Sequence, residues 1–293
     1  MTVPSLDLDR VGEHVDGALR EDIGRGDVTS AAIVPPDAVA RGRFVAREAG
    51  VLAGVPLLGA LFGRIDPDVV VEPLTCDGEA VRPDQIVACI RGPALPVLAG
   101  ERVALNYLQR LSGIATLAHR FAQAAEAHGA RILDTRKTAP GWRYLSKYAV
   151  LCGGGHNHRM GLYDQVLIKD NHLVIAERRW PGRAVAAAIE AARKHAPAGT
   201  LVEVEAATLD QVRQALEAGA DAILLDNMSL DRLRQAVEEA RAYQPRPFLE
   251  ASGGVTLETI EPIAQTGVDW ISVGAITHSA PALDIALDLD PVS

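Results

Sequence analysis

Five cations stand close together in the middle of this sequence: Arg136, Lys137, His158, Arg159 and Lys169. They come from three separate segments. Like charges gathered at one place repel unless an anion joins them, and an arginine's planar fork grips carboxylates and phosphates bidentately. A polyanionic ligand is the expectation. Two carboxylates, Glu205 and Asp226, follow further along. Carboxylates beside an anion pocket would repel its ligand unless a divalent cation sits between them. Mg²⁺ characteristically takes one or two carboxylates together with substrate phosphates. The turn Ser252-Gly253-Gly254 and the glycine at Gly274 offer backbone that a phosphate can approach closely.

What could bring these residues together is a repeated unit. After Gly129, short apolar runs alternate with helical stretches. The runs Arg131–Thr135, Gln165–Lys169, Leu201–Glu205, Ala222–Asp226, Pro247–Ala251 and Trp270–Val273 read as strands. Arg183–His195, Leu209–Ala218, Leu230–Ala242 and Leu257–Thr266 read as helices. Continuous apolar strands alternating with helices imply a parallel sheet covered by helices. With about six strands, an incomplete barrel or a doubly wound sheet is expected rather than a closed eight-fold barrel. Arg136–Lys137, Lys169, Glu205, Asp226, Ser252–Gly254 and Gly274 then fall at successive strand ends, the face where such barrels carry their active sites.

The first hundred residues read differently, as a small α/β domain. Arg41–Ala49, Val69–Glu72 and Gln85–Arg91 are short strand-like runs broken by Asp-Gly or Gly-Pro. A long helix over Glu101–His128 follows, with Leu105, Leu108, Leu111, Ala115 and Ala118 on one face. The expected division is 1–113 for the first domain and 114–275 for the barrel, with the tail 276–293 packed back on the first domain.

A net charge of −9 over 293 residues excludes a general nucleic-acid binder. No apolar run reaches membrane-spanning length. Three scattered cysteines, Cys76, Cys89 and Cys152, suggest a reducing compartment. The opening MTVPSLDLDR lacks the apolar run of a secretory signal, so a cytoplasmic location is expected. Two rival chemistries remain open. Cys152, His156 and His158 could form a zinc site with His172 or His119 as a distant fourth ligand, although the Gly153–Gly155 run fits a mobile loop carrying His158 and Arg159. Lys169 could serve as a Schiff-base lysine if it were desolvated.

The stretches DTRKTAPGWR (134–143), GGGHNHRMGLYDQVLIKDNH (153–172), VEVE (202–205), LLDN (224–227), EASGGV (250–255) and VGAITHS (273–279) resemble the quinolinate phosphoribosyltransferase family. So do REDIGRGDVTS (20–30) and ERVALNYLQRLSGIAT (101–116), so the resemblance runs through nearly the whole chain. It implies an N-terminal α/β sandwich and an open β/α barrel. It also implies a homodimer in which Arg102 completes the neighbour's active site. By this similarity Arg102, Arg136, His158, Arg159 and Lys169 hold quinolinate, the three arginines favouring a dicarboxylate over nicotinate. Lys137, Glu205, Asp226, Ser252, Gly253, Gly254, Gly274 and His278 serve phosphoribosyl pyrophosphate and Mg²⁺, with Glu205 and Asp226 nearest the metal. The implied reaction yields nicotinate mononucleotide, pyrophosphate and carbon dioxide, with Lys137, Lys169, Glu205 and Asp226 carrying the catalysis. The stretch 176–183 has no counterpart in these motifs.

Overall fold

The computed structural model describes residues 3–290. The chain opens with helices α1 (Leu8–Ile23) and α2 (Val28–Ile33), then strands β1 (Val39–Ala46) and β2 (Gly50–Val51). Helix α3 (Val55–Ile65) precedes β3 (Val70–Pro73), β4 (Ala80–Val81) and β5 (Ile86–Pro93). The long helix α4 (Ala94–Glu126) leads to β6 (Arg131–Leu133), α5 (Arg143–Cys152) and β7 (Val166–Ile168). Next come α6 (Asp170–Arg179), α7 (Ala184–His195), β8 (Val202–Ala206), α8 (Leu209–Glu217) and β9 (Ala222–Asp226). The remaining elements are α9 (Leu230–Ala240), β10 (Phe248–Ser252), α10 (Ile260–Ala264), β11 (Trp270–Ser272), α11 (Ala275–His278) and β12 (Ile285–Leu289).

Two compact units result. The first holds Met1–His119, Thr138–Gly154 and Ile276–Ser293. Its main sheet is antiparallel in the order β12-β1-β5-β3. Along the first half of β1 exposed Val39, Arg41 and Arg43 alternate with buried Ala40 and Phe44, the signature of a sheet with one wet face. On α4, Leu105, Leu108, Leu111, Ala115 and Ala118 are all buried. That helix starts at Ala94, ahead of the expected Glu101: Pro96 falls in its first turn, where a missing N–H costs no helical hydrogen bond, and Gly100 is carried within the helix.

The unit's membership is interleaved along the chain rather than set by a single cut near residue 113. Residues 138–154, which the sequence reading assigned to the barrel, belong to the first unit. There Tyr148 donates a hydrogen bond to Asp77 at 2.7 Å. A Cβ on Gly153 would lie 2.2 Å from the Ala115 carbonyl oxygen, so only glycine allows this approach to α4. Part of the glycine run therefore serves packing.

The second unit holds Arg120–Lys137 and Gly155–Ala275. Its six parallel strands are ordered β6-β11-β10-β9-β8-β7. Among the described residues β6 and β7 do not pair, so the barrel is open. Every residue of β8 is buried, as expected of a strand covered on both sides. Local signals place the helices: Thr208 accepts from the Gln211 N–H while the Gln211 side chain accepts from the Thr208 N–H, a reciprocal cap that starts α8. Helix α6 was not expected. Its N-cap is Lys169, whose N–H donates to His172 Nδ1 at 2.9 Å, and it buries only Leu173 and Ala176 while Val174 and Ile175 are exposed, so neither a standard cap nor a long apolar stripe marks it. Among the described residues no helix is long and apolar enough to cross a membrane.

Candidate active site

Strand alternation builds the site. In β8, Glu203 and Glu205 face the same side. Pairing carries that face across the sheet: Glu205 stands opposite Leu224, and Leu224 opposite Glu250. One pleat further, Asp226, Ser252 and Ser272 form the next row, which ends at Leu133 of β6. Residues Thr135, Arg136 and Lys137 continue from β6 over these strand ends.

The rows enclose a cavity of about 130 Å³. Arg136, Lys137, His158, Arg159 and Lys169 line it together with Thr135 and Leu167, and Leu224, Glu250, Ser252 and Ser272 complete the wall. The five cations expected to gather do gather. Arg136 Nε is buried and has no protein hydrogen-bond partner. Arg159 is buried and its guanidinium pKa is lowered, by burial first and then by the charge of Arg136. Two guanidiniums line one small cavity, and one of them has an orphan donor, an arrangement that an anion would complete.

The loop before β7 is anchored rather than mobile. His156 bridges to Leu133 in parallel fashion. Buried Asp134 accepts from the His158 N–H at 3.0 Å. His158 is thereby fixed, with Nδ1 accepting from the Arg159 N–H at 2.7 Å and Nε2 lying 3.2 Å from Glu203 Oε2. Its polar atoms are thus turned toward the protein while the ring lines the cavity. The zinc reading fails on this geometry. Among the described residues the one cluster with metal-like spacing is His158, Glu203 and Glu250, whereas the Cys152 thiol is buried and its pKa pushed up to about 12, chiefly by burial. The Schiff-base reading also loses its basis: the Lys169 side chain is 48% exposed and its Nζ pairs with Glu205 Oε2 at 3.0 Å.

Of the other expected residues, Glu205, Asp226, Gly253, Gly254, Gly274, Arg102 and His278 do not line the cavity. Glu205 is buried and reaches the cavity through Lys169. Asp226 ends β9, where Asn227 Nδ2 donates to its Oδ2 at 2.9 Å. Gly253 has φ of 102°, and a Cβ there would stand 2.2 Å from Asn227 Oδ1, so the turn admits only glycine. The helix expected at Leu257–Thr266 is shorter, Ile260–Ala264, so it begins well after the Ser252–Gly254 turn. No helix end follows that turn directly. Gly274 leads directly into α11. Arg102, exposed on α4, and His278, exposed at the end of α11, belong to the first unit.

Glu203 and Glu250 were missed. Both are fully buried. Burial pushes Glu203 up to about 7, and burial followed by the charge of Glu203 pushes Glu250 up to about 8. The signal was present in the period of two, since each stands two residues before a residue already singled out, Glu205 and Ser252, and shares its face.

An open parallel barrel with a cationic socket at its strand ends defines an α/β-barrel protein that binds small polyanions. The comparisons with known proteins narrow this class. Residues 27–112 match the quinolinate phosphoribosyl transferase N-terminal domain, and residues 114–288 match the C-terminal domain of the same enzyme. The chain belongs to the quinolinate phosphoribosyltransferase family. It is 43% identical over 306 residues to the mitochondrial quinolinate phosphoribosyltransferase (decarboxylating) 2 of Nicotiana glauca, covering 98% of this chain and 83% of that protein. It is 42% identical to the chloroplastic nicotinate-nucleotide pyrophosphorylase (carboxylating) of Arabidopsis thaliana, covering 98% and 84%. The crystal structure of NadC from Streptococcus pyogenes superposes with a TM-score of 0.91 at 36% identity, covering 99% of this chain and all of that one. The nicotinate-nucleotide pyrophosphorylase structure from Francisella tularensis gives 0.90 at 36% identity, covering 99% of each.

Proposed function

We propose that the chain joins quinolinate to phosphoribosyl pyrophosphate and releases pyrophosphate and carbon dioxide, forming nicotinate mononucleotide for NAD synthesis. The observation that carries this reading is the socket of Arg136 and Arg159, two guanidiniums lining one small cavity, with the Arg136 Nε buried and without a protein partner. Quinolinate has two carboxylates beside a ring nitrogen and answers that charge. In this reading Arg136, Arg159 and Lys169 hold the carboxylates, the His158 ring packs beside them, and Arg102 of a second copy closes the site. Lys137 meets the pyrophosphate, and the backbone of Ser252, Gly253, Gly254 and Gly274 meets the 5′-phosphate, with His278 assigned beside them by resemblance.

The donor set of Glu205, Asp226 and Asn227 is all oxygen at two adjacent strand ends, which suits a hard cation such as Mg²⁺. Bound there, Mg²⁺ would neutralise charge on the leaving pyrophosphate. The chain's own residues position the ring nitrogen against the sugar carbon. Glu205 places negative charge where the sugar becomes cationic, and Lys137 places positive charge at the leaving group. Three free cysteines and a chain without a membrane-spanning helix among its described residues fit a cytoplasmic enzyme.

The test is to supply quinolinate, phosphoribosyl pyrophosphate and Mg²⁺, and to measure carbon dioxide and nicotinate mononucleotide. Nicotinate in place of quinolinate is the control. Turnover of nicotinate with none of quinolinate would reject the reading.

A further inference from the structure

Glu250 forms part of the cavity wall yet is fully buried, on β10 between the strands that carry Leu224 and Ser272. Neither of its carboxyl oxygens has a hydrogen-bond partner. The nearest donor, the His158 ring, has one N–H to offer, because its Nδ1 is already an acceptor. Its Nε2 lies closer to Glu203 Oε2, at 3.2 Å, than to Glu250 Oε2, at 3.5 Å. Glu203 Oε2 also accepts from Gln165 Nε2 at 2.6 Å. Both glutamates are buried, but Glu203 has the closer donors, and Glu250 is left with His158 Nε2 at 3.5 Å and the neighbouring Ser272. A buried anion so poorly supplied with donors is disfavoured, whereas a neutral carboxylic acid in the same place is not. Its neighbours are Glu203 from β8, His158 from the loop before β7 and Ser272 from β11, with Arg159 and Lys169 acting on Glu203.

The reaction proposed above, on which this inference rests, breaks the bond between a ring carbon and its carboxylate. Carbon dioxide leaves without the bonding pair, the pair stays on the ring carbon beside the quaternary nitrogen, and that carbon must then take a proton. We propose that Glu250 is the acid that delivers this proton. Its O–H bond breaks, the ring C–H bond forms, and the carboxylate left behind faces His158 Nε2 until solvent reprotonates it after product departs. While carbon dioxide remains in the cavity, the carbanion either recombines with it or is protonated. Glu250 decides how much intermediate goes forward, which gives a carboxyl group a purpose inside an anion-binding socket.

The experiment follows pyrophosphate and nicotinate mononucleotide in the same reaction for the wild-type protein and for Glu250→Gln, which keeps the shape but has no acidic proton. The expected result is a fall in the ratio of nicotinate mononucleotide to pyrophosphate on the order of 10²-fold, with the mononucleotide that still carries both carboxyl groups accumulating in mass spectra. An unchanged ratio overturns the proposal. If Glu250→Gln does not fold, the wild-type ratio is followed with pH. It should decline as pH rises through about 8, where Glu250 loses its proton, and a ratio flat across that range overturns the proposal equally. Wild-type protein that releases no pyrophosphate from quinolinate would instead overturn the activity reading, a result distinct from either.

Discussion

Arg136 brings a buried, unpartnered Nε to the cavity, so its partner has to come from the ligand. Arg136→Ala should weaken quinolinate binding by about 2–5 kcal/mol, the usual cost of losing one side of a buried charged contact, and leave phosphoribosyl pyrophosphate binding far less affected. Calorimetry with each ligand checks this, and equal losses would count against the assignment. Glu205→Gln and Asp226→Asn should each raise the Mg²⁺ concentration needed for half-maximal rate, because each removes one charge from the metal's proposed oxygen donors. Unaltered Mg²⁺ titrations in both would make these carboxylates structural. Glu250 supplies a pH prediction for stability. Its folded-state value, about 8, lies above the ordinary 4.5, so the folded protein binds the proton more tightly than the unfolded chain. The stability it contributes is fully present below about 4.5 and is lost as pH rises through about 8. The unfolding midpoint of the wild-type protein should therefore decline across that window more steeply than that of Glu250→Gln. Parallel curves would show that the carboxyl ionises freely.

At the scale of elements, close approach dominates. Gly153 has an ordinary helical φ of −77°, so its requirement is space alone. Gly153→Val should destabilise the fold by about 1–3 kcal/mol or more through overpacking against the Ala115 carbonyl, read as a lower denaturant midpoint. The barrel strands were legible to within a residue or two because buried parallel strands are uninterrupted apolar runs: Ala222–Asp226 was read with its observed bounds. Helix α5 hid behind the glycines that follow it. Helix α6 hid because a lysine caps it and its apolar residues are split, Leu173 and Ala176 buried but Val174 and Ile175 exposed. The cations of the site were legible because charge at a strand end interrupts an apolar pattern. Glu203 and Glu250 were not, because a carboxyl inside a strand reads as an exposed position until the opposite face of the sheet is known to be covered too.

For the whole molecule, Arg102 belongs to the first unit, while the socket belongs to the second. If a second copy supplies Arg102, inactive Arg102→Ala and Lys137→Ala proteins should complement each other when refolded together. In a mixed dimer one site carries both changes and the other neither, so random pairing restores about one site in four. Mixed dimers confirmed by mass spectrometry but no more active than their parents would place Arg102 outside the partner's site.

Strand β12 pairs with β1 through Gly42↔Leu289 to Ala46↔Ile285, so two strands far apart in the sequence lie side by side in one sheet. The ribosome delivers β1 long before β12, with every strand of the second unit between them. Until β12 arrives, β1 has an open sheet edge. An exposed edge invites pairing with other chains. A chain that lacks residues 285–289 would keep that edge of β1 open permanently, and self-association is the expected consequence.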